Sequence, residues 1–253
     1  MAKNSGWWDE FFPAFRPFFG MLSQKATNRH VRYVVDKLNL KPGEKFLDCP
    51  CGIGRIALPL AKKGIKVTGV DITRSYLDEL GRKAAGAGLK IDLHRADMRR
   101  INFDSGFDAA GNLWTSFGYF SKESDNLLAL KKMYNALKPG GRFMLHVINR
   151  DWIMAHYRAT DWQEVTGIKS LERRHFDFAT STNHGHWCII KDGREGIYDI
   201  SIRMYSFHEL IAMFKEVGFI DIEGFGSERN EPISSERQMM FVIGAKPGRR
   251  SNV

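Results

Sequence analysis

Between Lys45 and Ile148 short apolar runs alternate with amphipathic helical segments, and no other feature of the chain narrows its fold as far. KFLDC reads as a buried strand, GRIALPLAKKG as a helix, KVTGVD as a strand and TRSYLDELGRKAAGAG as a helix. KIDLHRAD, FDAAGNLW and RFMLHVI continue the strands, with a helix over Asp125–Leu137 before the last. Strand and helix in turn, on short connections, predict an α/β fold: a parallel sheet covered on both faces. An amphipathic helix over Thr27–Leu40 precedes it, with Val31, Val34, Val35 and Leu38 on one face, and KPGE ends it.

The rhythm changes after Asn149. LERRHFDF, HGHWCII and GIYDISIRMY read as short polar and aromatic strands, a small antiparallel insertion over residues 150–205. The α/β pattern returns in SFHELIAMFKEVGF, where Ser206 and Glu209 have the spacing of a capping box. IDIEGF and QMMFVIGAKP are expected to close the chain as strands. The expected organisation is therefore an N-terminal helical lid segment 1–40, a core 41–149, the insertion 150–205 and a C-terminal helix and strands 206–253.

The 253 residues suffice for one large α/β domain or two small ones, and a net charge of +9 favours anionic partners without choosing among nucleic acid, acidic metabolites and membrane surfaces. Three cysteines, Cys49, Cys51 and Cys188, are too few and too odd for a disulfide framework, so a reducing, cytoplasmic setting is expected. Asp9, Glu10 and Pro13 interrupt the apolar N-terminus, which argues against a signal peptide. No stretch approaches the ~20 apolar residues of a membrane span, so no membrane partner is expected.

The stretch FLDCPCGIGR poses the functional question. Cys49 and Cys51 lack the further ligands of a tetrahedral metal site and the spacing of a redox pair, so no metal is expected and both read as packing residues. Gly52 and Gly54 stand where a strand must turn sharply into a helix and let a ligand approach the backbone. About 20 residues on, the next strand ends in Asp71, placed to accept from a ribose diol. Gly52, Gly54, Ala57 and Asp71 alone would pass for a dinucleotide fingerprint. Asp48, at the end of the first strand, separates the candidates: a carboxylate there repels a pyrophosphate but suits a ligand carrying an ammonium and a sulfonium.

Five ordered motifs carry a resemblance that runs through nearly the whole chain: LDCPCGIGR, VTGVD, RADMR, FDAAGNLWTSFGYF and LKPGGRFML. In this order they resemble the class I S-adenosylmethionine (SAM)-dependent methyltransferases. The resemblance implies a Rossmann-like, doubly wound, mostly parallel seven-stranded sheet with SAM as cofactor. It implies that Asp48, Pro50, Gly52 and Gly54 surround the methionyl part and that Asp71 holds the ribose. It further puts Ile72 on the adenine, Asp97 on the exocyclic amine, Met98 at the ring edge, and Asn112 and Leu113 near the sulfonium.

The nucleic-acid amino-methyltransferases of this fold carry Asn or Asp, two prolines and an aromatic after the fourth strand. Asn112, Leu113, Trp114 and Thr115 stand there instead, and no Lys/Arg stripe with interleaved aromatics is present, so no nucleic-acid partner is expected. The TSFGYF loop resembles that of small-molecule N- and O-methyltransferases, with Trp114, Phe117 and Tyr119 as expected pocket walls. Arg150 and Arg203 flank the insertion and are expected to grip an anionic acceptor. His146 and Tyr119 are the candidate catalytic residues, His146 as a general base. Relatives suggest a homodimer through the insertion. An NAD-dependent oxidoreductase and a SAM-binding protein without catalysis remain as other readings.

Overall fold

The computed structural model describes residues 6–21 and 23–248; the outermost residues of the expected segments 1–40 and 206–253 lie outside the described residues. Helix α1 (Trp8–Phe15) runs into a 3₁₀ turn (Arg16–Met21), then α2 (Gln24–Leu38). The core follows as β1 (Lys45–Asp48), α3 (Ala57–Lys62), β2 (Lys66–Asp71), α4 (Arg74–Gly86), β3 (Asp92–Arg95), β4 (Phe107–Asn112), α5 (Glu123–Ala136) and β5 (Leu137–Ile148). After α6 (Arg150–Ala155) come β6 (Thr160–Val165), β7 (Ile168–Asp177), β8 (Thr182–Lys191) and β9 (Arg194–Arg203). Helix α7 (Phe207–Val217), β10 (Ile220–Phe225) and β11 (Met239–Ala245) complete the chain.

Seven strands form one sheet in the order β10-β11-β5-β4-β1-β2-β3, parallel except where β11 lies antiparallel between β5 and β10. This is the α/β architecture that the alternation of strands and helices predicts. The chain builds outward from β1 to β3, then returns to place β4 on the other side of β1. That reversal opens a crevice beyond the C-terminal ends of β1 and β4, the usual ligand site in open parallel sheets.

Both faces are covered. Leu130, Met133, Leu210 and Phe214 of α5 and α7 pack against Leu145 and Val242 on one side. Val31, Val34, Leu60 and Leu80 of α2, α3 and α4 pack against Phe46 and Met144 on the other. Helix α2 starts three residues before the expected Thr27, because the Ser23 hydroxyl accepts from Ala26 N–H (3.1 Å) and caps it. Helix α3 is shorter than GRIALPLAKKG suggests: Gly52 (φ 53°) and Gly54 (φ 84°) hold the entry in a left-handed loop that helical backbone cannot share.

The insertion is a separate four-stranded antiparallel sheet, β6-β7-β8-β9. Alternation along its strands sends Ser170, Glu172, Arg174, Asn183 and Trp187 to the inner face and Leu171 and Cys188 to the outer. Trp162, Leu171, Cys188 and Ile197 are register partners in one row across the outer face, where Trp162, Ile197 and Leu171 are 68%, 54% and 46% exposed. A third core, Phe11 and Phe18 with Ile189 and Ile200, ties the N-terminal segment to the inner face.

Candidate active site

The crevice beyond β1 and β4 is one end of a cavity of about 1260 Å³ that continues between α1, the loop after β4 and the inner face of the second sheet. That exceeds the roughly 300–1,000 Å³ of a single small-molecule pocket. There is room for two ligands side by side.

At the sheet end, Asp71 terminates β2 and is buried; its Oδ2 accepts from Gly52 N–H and its Oδ1 from Thr73 N–H, both at 2.8 Å. The carboxylate thus locks the glycine loop onto β2 and presents its remaining lone pairs to the cavity. A Cβ on Gly54 would lie 2.2 Å from Leu80 Cδ1, so the loop must hug α4 there, whereas Gly52 has open space before it. Asp48 lines the cavity at the end of β1, where burial pushes its carboxyl up to about 7, with Arg55 opposing and Asp71 adding to the rise. Asp97 also lines it, bound by Arg99 through Nη2 (2.6 Å) and Nε (3.1 Å); burial alone would raise its carboxyl, but the Arg99 bonds outweigh this and hold it low. Pro50, Ile72, Met98 and Leu113 complete this end.

Three carboxylates, Asp48, Asp71 and Asp97, thus face one end of the cavity, beside a glycine, Gly52, with open space before it. Asn112 does not line the cavity. Its Nδ2 donates to the Ser116 carbonyl (3.1 Å), so its side chain shapes the loop after β4 rather than meeting a ligand.

That loop is strained. Trp114 (φ 66°) and Thr115 (φ 62°) are consecutive non-glycine residues in the left-handed region, held by Thr115 N–H donating to the His146 carbonyl (2.8 Å). The turn delivers Trp114, Phe117 and Tyr119 to the cavity wall. Helix α1 closes the opposite side: Trp7 stacks edge-on to Tyr119 at 5.0 Å, and Phe11 meets Trp187 at 5.3 Å. Arg16 clamps this segment to α4 through a two-point ion pair with Glu79 (2.6 and 2.8 Å).

Three further sequence expectations require correction. His146 does not line the cavity: it is 2% exposed, faces α2, stacks on Phe241 at 4.1 Å and meets His30 edge-on at 4.7 Å. Burial pushes its imidazole far below the usual histidine range, and its Nε2 has no partner, so it is no base for a ligand in the cavity. Arg150 does not line the cavity either; it pairs with Asp151 (2.8 Å) and Glu209 (3.2 Å). Arg203 does line it, but its charge is met by Glu209 at 2.5 Å, so neither arginine is a free anion receptor. Tyr119 is placed in the wall, and burial raises its phenol, which keeps the proton on.

Residues 46–141 match the family model described as a methyltransferase domain. Over these residues the chain carries a methyltransferase domain. Among curated relatives, a SAM-dependent Diels-Alderase of Talaromyces variabilis is 34% identical over half of this chain and 44% of its own length. A sterol 24-C-methyltransferase of Gibberella zeae is 30% identical over 64% of this chain and 42% of its own. The chain thus spans less than half of these relatives. A solved SAM-dependent methyltransferase from Clostridium acetobutylicum superposes with a TM-score of 0.80 at 16% identity, covering 95% of this chain and 99% of that one. The sugar N-methyltransferase KedS8 from Streptoalloteichus follows at 0.71 and 18%, covering 98% and 96%. At such identities the likeness is one of fold, and it includes the part beyond the methyltransferase domain.

Two features of the site were missed in the sequence. Arg55 lines the cavity directly after Gly54; a cation next to the last glycine of a loop that follows an acid was the available signal. Ser170, Glu172 and Arg174 place polar groups at every second position of a strand face that covers a core, an alternation visible in the letters but without a side assigned to it.

Proposed function

We propose that the chain is a SAM-dependent methyltransferase acting on a nitrogen or oxygen of a small molecule seated between the parallel core and the antiparallel sheet. The single observation that carries this reading is the continuous cavity, with a SAM-matched wall at one end and aromatic and polar walls at the other. Bound SAM supplies an electrophilic methyl on a sulfonium. Asp71 then takes the ribose hydroxyls, Ile72 packs on the adenine, and Asp97 with the Met98 backbone reads its edge. Asp48 holds the ammonium, with Pro50, Gly52, Gly54 and Leu113 around the methionyl chain. Segment 1–40 acts as the lid over the core 41–149, the insertion 150–205 walls the acceptor and 206–253 completes the sheet. Closing the acceptor in would keep nucleophile and methyl aligned, which is most of what such a displacement needs.

Nitrogen is the better supported acceptor atom. A neutral amine attacks with its own lone pair, whereas a hydroxyl wants a base, and neither base expected from the sequence serves: His146 lies outside the cavity and Tyr119 is protonated within it. Support for an anionic acceptor is withdrawn with Arg150 and Arg203 engaged on Glu209. A cytoplasmic setting suits the free thiols of Cys49, Cys51 and Cys188, and no helix among the described residues is long and apolar enough to cross a membrane. The homodimer is proposed through the outer row from Trp162 to Ile197.

Calorimetry tests the reading. S-adenosylhomocysteine should bind stoichiometrically, and Asp71→Asn, which removes the charge and replaces one of the two acceptor oxygens by a donor, should weaken it tenfold or more by the loss of charge-assisted bonds. Binding of NAD in its place would overturn the assignment. The relative named as a Diels-Alderase favours a second reading, SAM as a bound helper in another reaction. Release of S-adenosylhomocysteine on turnover with an amine panel decides between them.

A further inference from the structure

We propose that Arg55 is the carboxylate receptor of the cavity, its guanidinium taking the α-carboxylate of SAM beside the α-ammonium held by Asp48. This rests on the SAM reading above.

Most cations of the cavity wall are already neutralised or hydrated. Arg16 and Lys83 are paired with Glu79, Arg174 with Glu172 and Asp161, and Arg203 with Glu209. Lys62 and Arg158 are exposed and hydrated. Arg55 alone is sheltered and, among the described residues, takes part in no ion pair. Its Nη2 lies 3.1 Å from His30 Nδ1, and its Cζ sits 4.2 Å from the Trp114 ring centroid.

A guanidinium only donates, so the His30 Nδ1 must accept and the imidazole is neutral with its proton on Nε2. Burial enforces this by pulling His30 down to about 3. The cation is therefore held on a ring face and a neutral acceptor, with most of its five N–H groups unspent. A half-buried guanidinium without an anion is costly, and burial lowers it to about 10 despite the nearby Asp48. Planar and fork-shaped, it suits a carboxylate through two parallel bonds.

Asp48 supplies the complement. Asp48 and Arg55 shift each other's titration but form no ion pair within 4 Å. Two opposite charges in one wall, near yet apart, fit an α-amino acid zwitterion inserted between them: ammonium to Asp48, carboxylate to Arg55. An acidic acceptor would offer the same carboxylate, and the ligand series below tells the two sources apart.

Binding of four ligands to the wild type, Arg55→Gln and Arg55→Lys should be measured by calorimetry: S-adenosylhomocysteine, SAM, decarboxylated SAM and 5′-methylthioadenosine, which lacks the whole amino acid. In the wild type, decarboxylated SAM should bind roughly ten- to a hundredfold more weakly than SAM, the range for hydrogen bonds to a charged group. Arg55→Gln should weaken SAM and S-adenosylhomocysteine by a similar factor and leave the two ligands without a carboxylate unchanged; Arg55→Lys should fall between. Equal loss on all four ligands would make Arg55 a structural support and overturn the proposal. Wild-type affinity indifferent to the carboxylate would overturn it without any variant, even if the KM of an acidic acceptor rose in Arg55→Gln. Failure of the wild type to bind any of the four would instead strike the SAM reading and take this inference with it.

Discussion

Asp48 and the buried histidines respond to pH in opposite directions, and each gives a measurable consequence. With its carboxyl pushed up to about 7 by burial, Asp48 is partly protonated near neutrality, yet an ammonium partner needs the carboxylate. S-adenosylhomocysteine binding at pH 7 should therefore release a fraction of a proton, read as a difference in binding enthalpy between phosphate and Tris buffers. Asp48→Asn should abolish that difference, and a buffer-independent enthalpy in the wild type would refute the assignment. In stability, the raised pKa makes the folded state hold a proton the unfolded chain has released, so this group's contribution is lost as pH rises through about 7. His30 and His146 act the other way. Their folded pKa values lie below the unfolded value near 6.5, so the unfolded chain binds more protons and stability falls as pH drops below that value, for His30 down to about 3. His146→Leu should flatten the acid limb of Tm against pH while leaving the rate of methyl transfer near wild type. A catalytic base would instead cost roughly 10²–10⁴ in turnover. The sequence shows His146 alternating with Leu145 and Val147 along a strand, but both faces of a doubly wound sheet are buried, so the letters do not say which face carries the ligand.

At the scale of elements, α7 shows what spacing reveals and what only contacts reveal. The capping box in SFHE is legible, and it forms: Ser206 Oγ accepts from Glu209 N–H, and Glu209 Oε2 accepts from Ser206 N–H at 2.8 Å. What the sequence does not show is that Glu209 also receives Arg203 and Arg150 from beyond the helix; against the effect of burial, the Ser206 hydrogen bonds and then Arg203 hold its carboxyl down near 2. Arg150 and Arg203 therefore look like free anion grips in the sequence and are structural in the fold. Ser206→Ala should cost about 1 kcal/mol in urea unfolding, the usual worth of an N-cap. Glu209→Ala should cost more, since it also strands two partly buried guanidinium groups. The alternating strands and helices were readable because period and turn residues are local properties. The face of the second sheet that meets the ligand was not, because it is fixed by the docking of α1 onto Trp187 and Tyr198.

For the whole molecule, the second sheet works on two sides: its inner face walls the cavity, and its outer face carries the apolar row from Trp162 to Ile197. Sedimentation velocity should find a dimer at micromolar concentration, reduced to monomer by Leu171→Glu with the far-UV spectrum unchanged; a wild-type monomer at all concentrations would remove the proposed contact. The two sheets are also stapled to each other at Gly118. Its carbonyl accepts from Arg203 N–H (2.8 Å), and a Cβ there would lie 2.1 Å from the Arg203 carbonyl oxygen, in a backbone (φ 90°) that only glycine adopts at ease. For anyone retuning the acceptor range by mutagenesis, this divides the loop in two. Tyr119 is open to randomisation, whereas Phe117 belongs to the buried core, Trp114 carries Arg55, and Gly118 must stay fixed in every library. An exchange of the insertion for that of another protein will keep the pocket in register only if its seam residue arrives at Gly118 with the backbone spacing of Arg203.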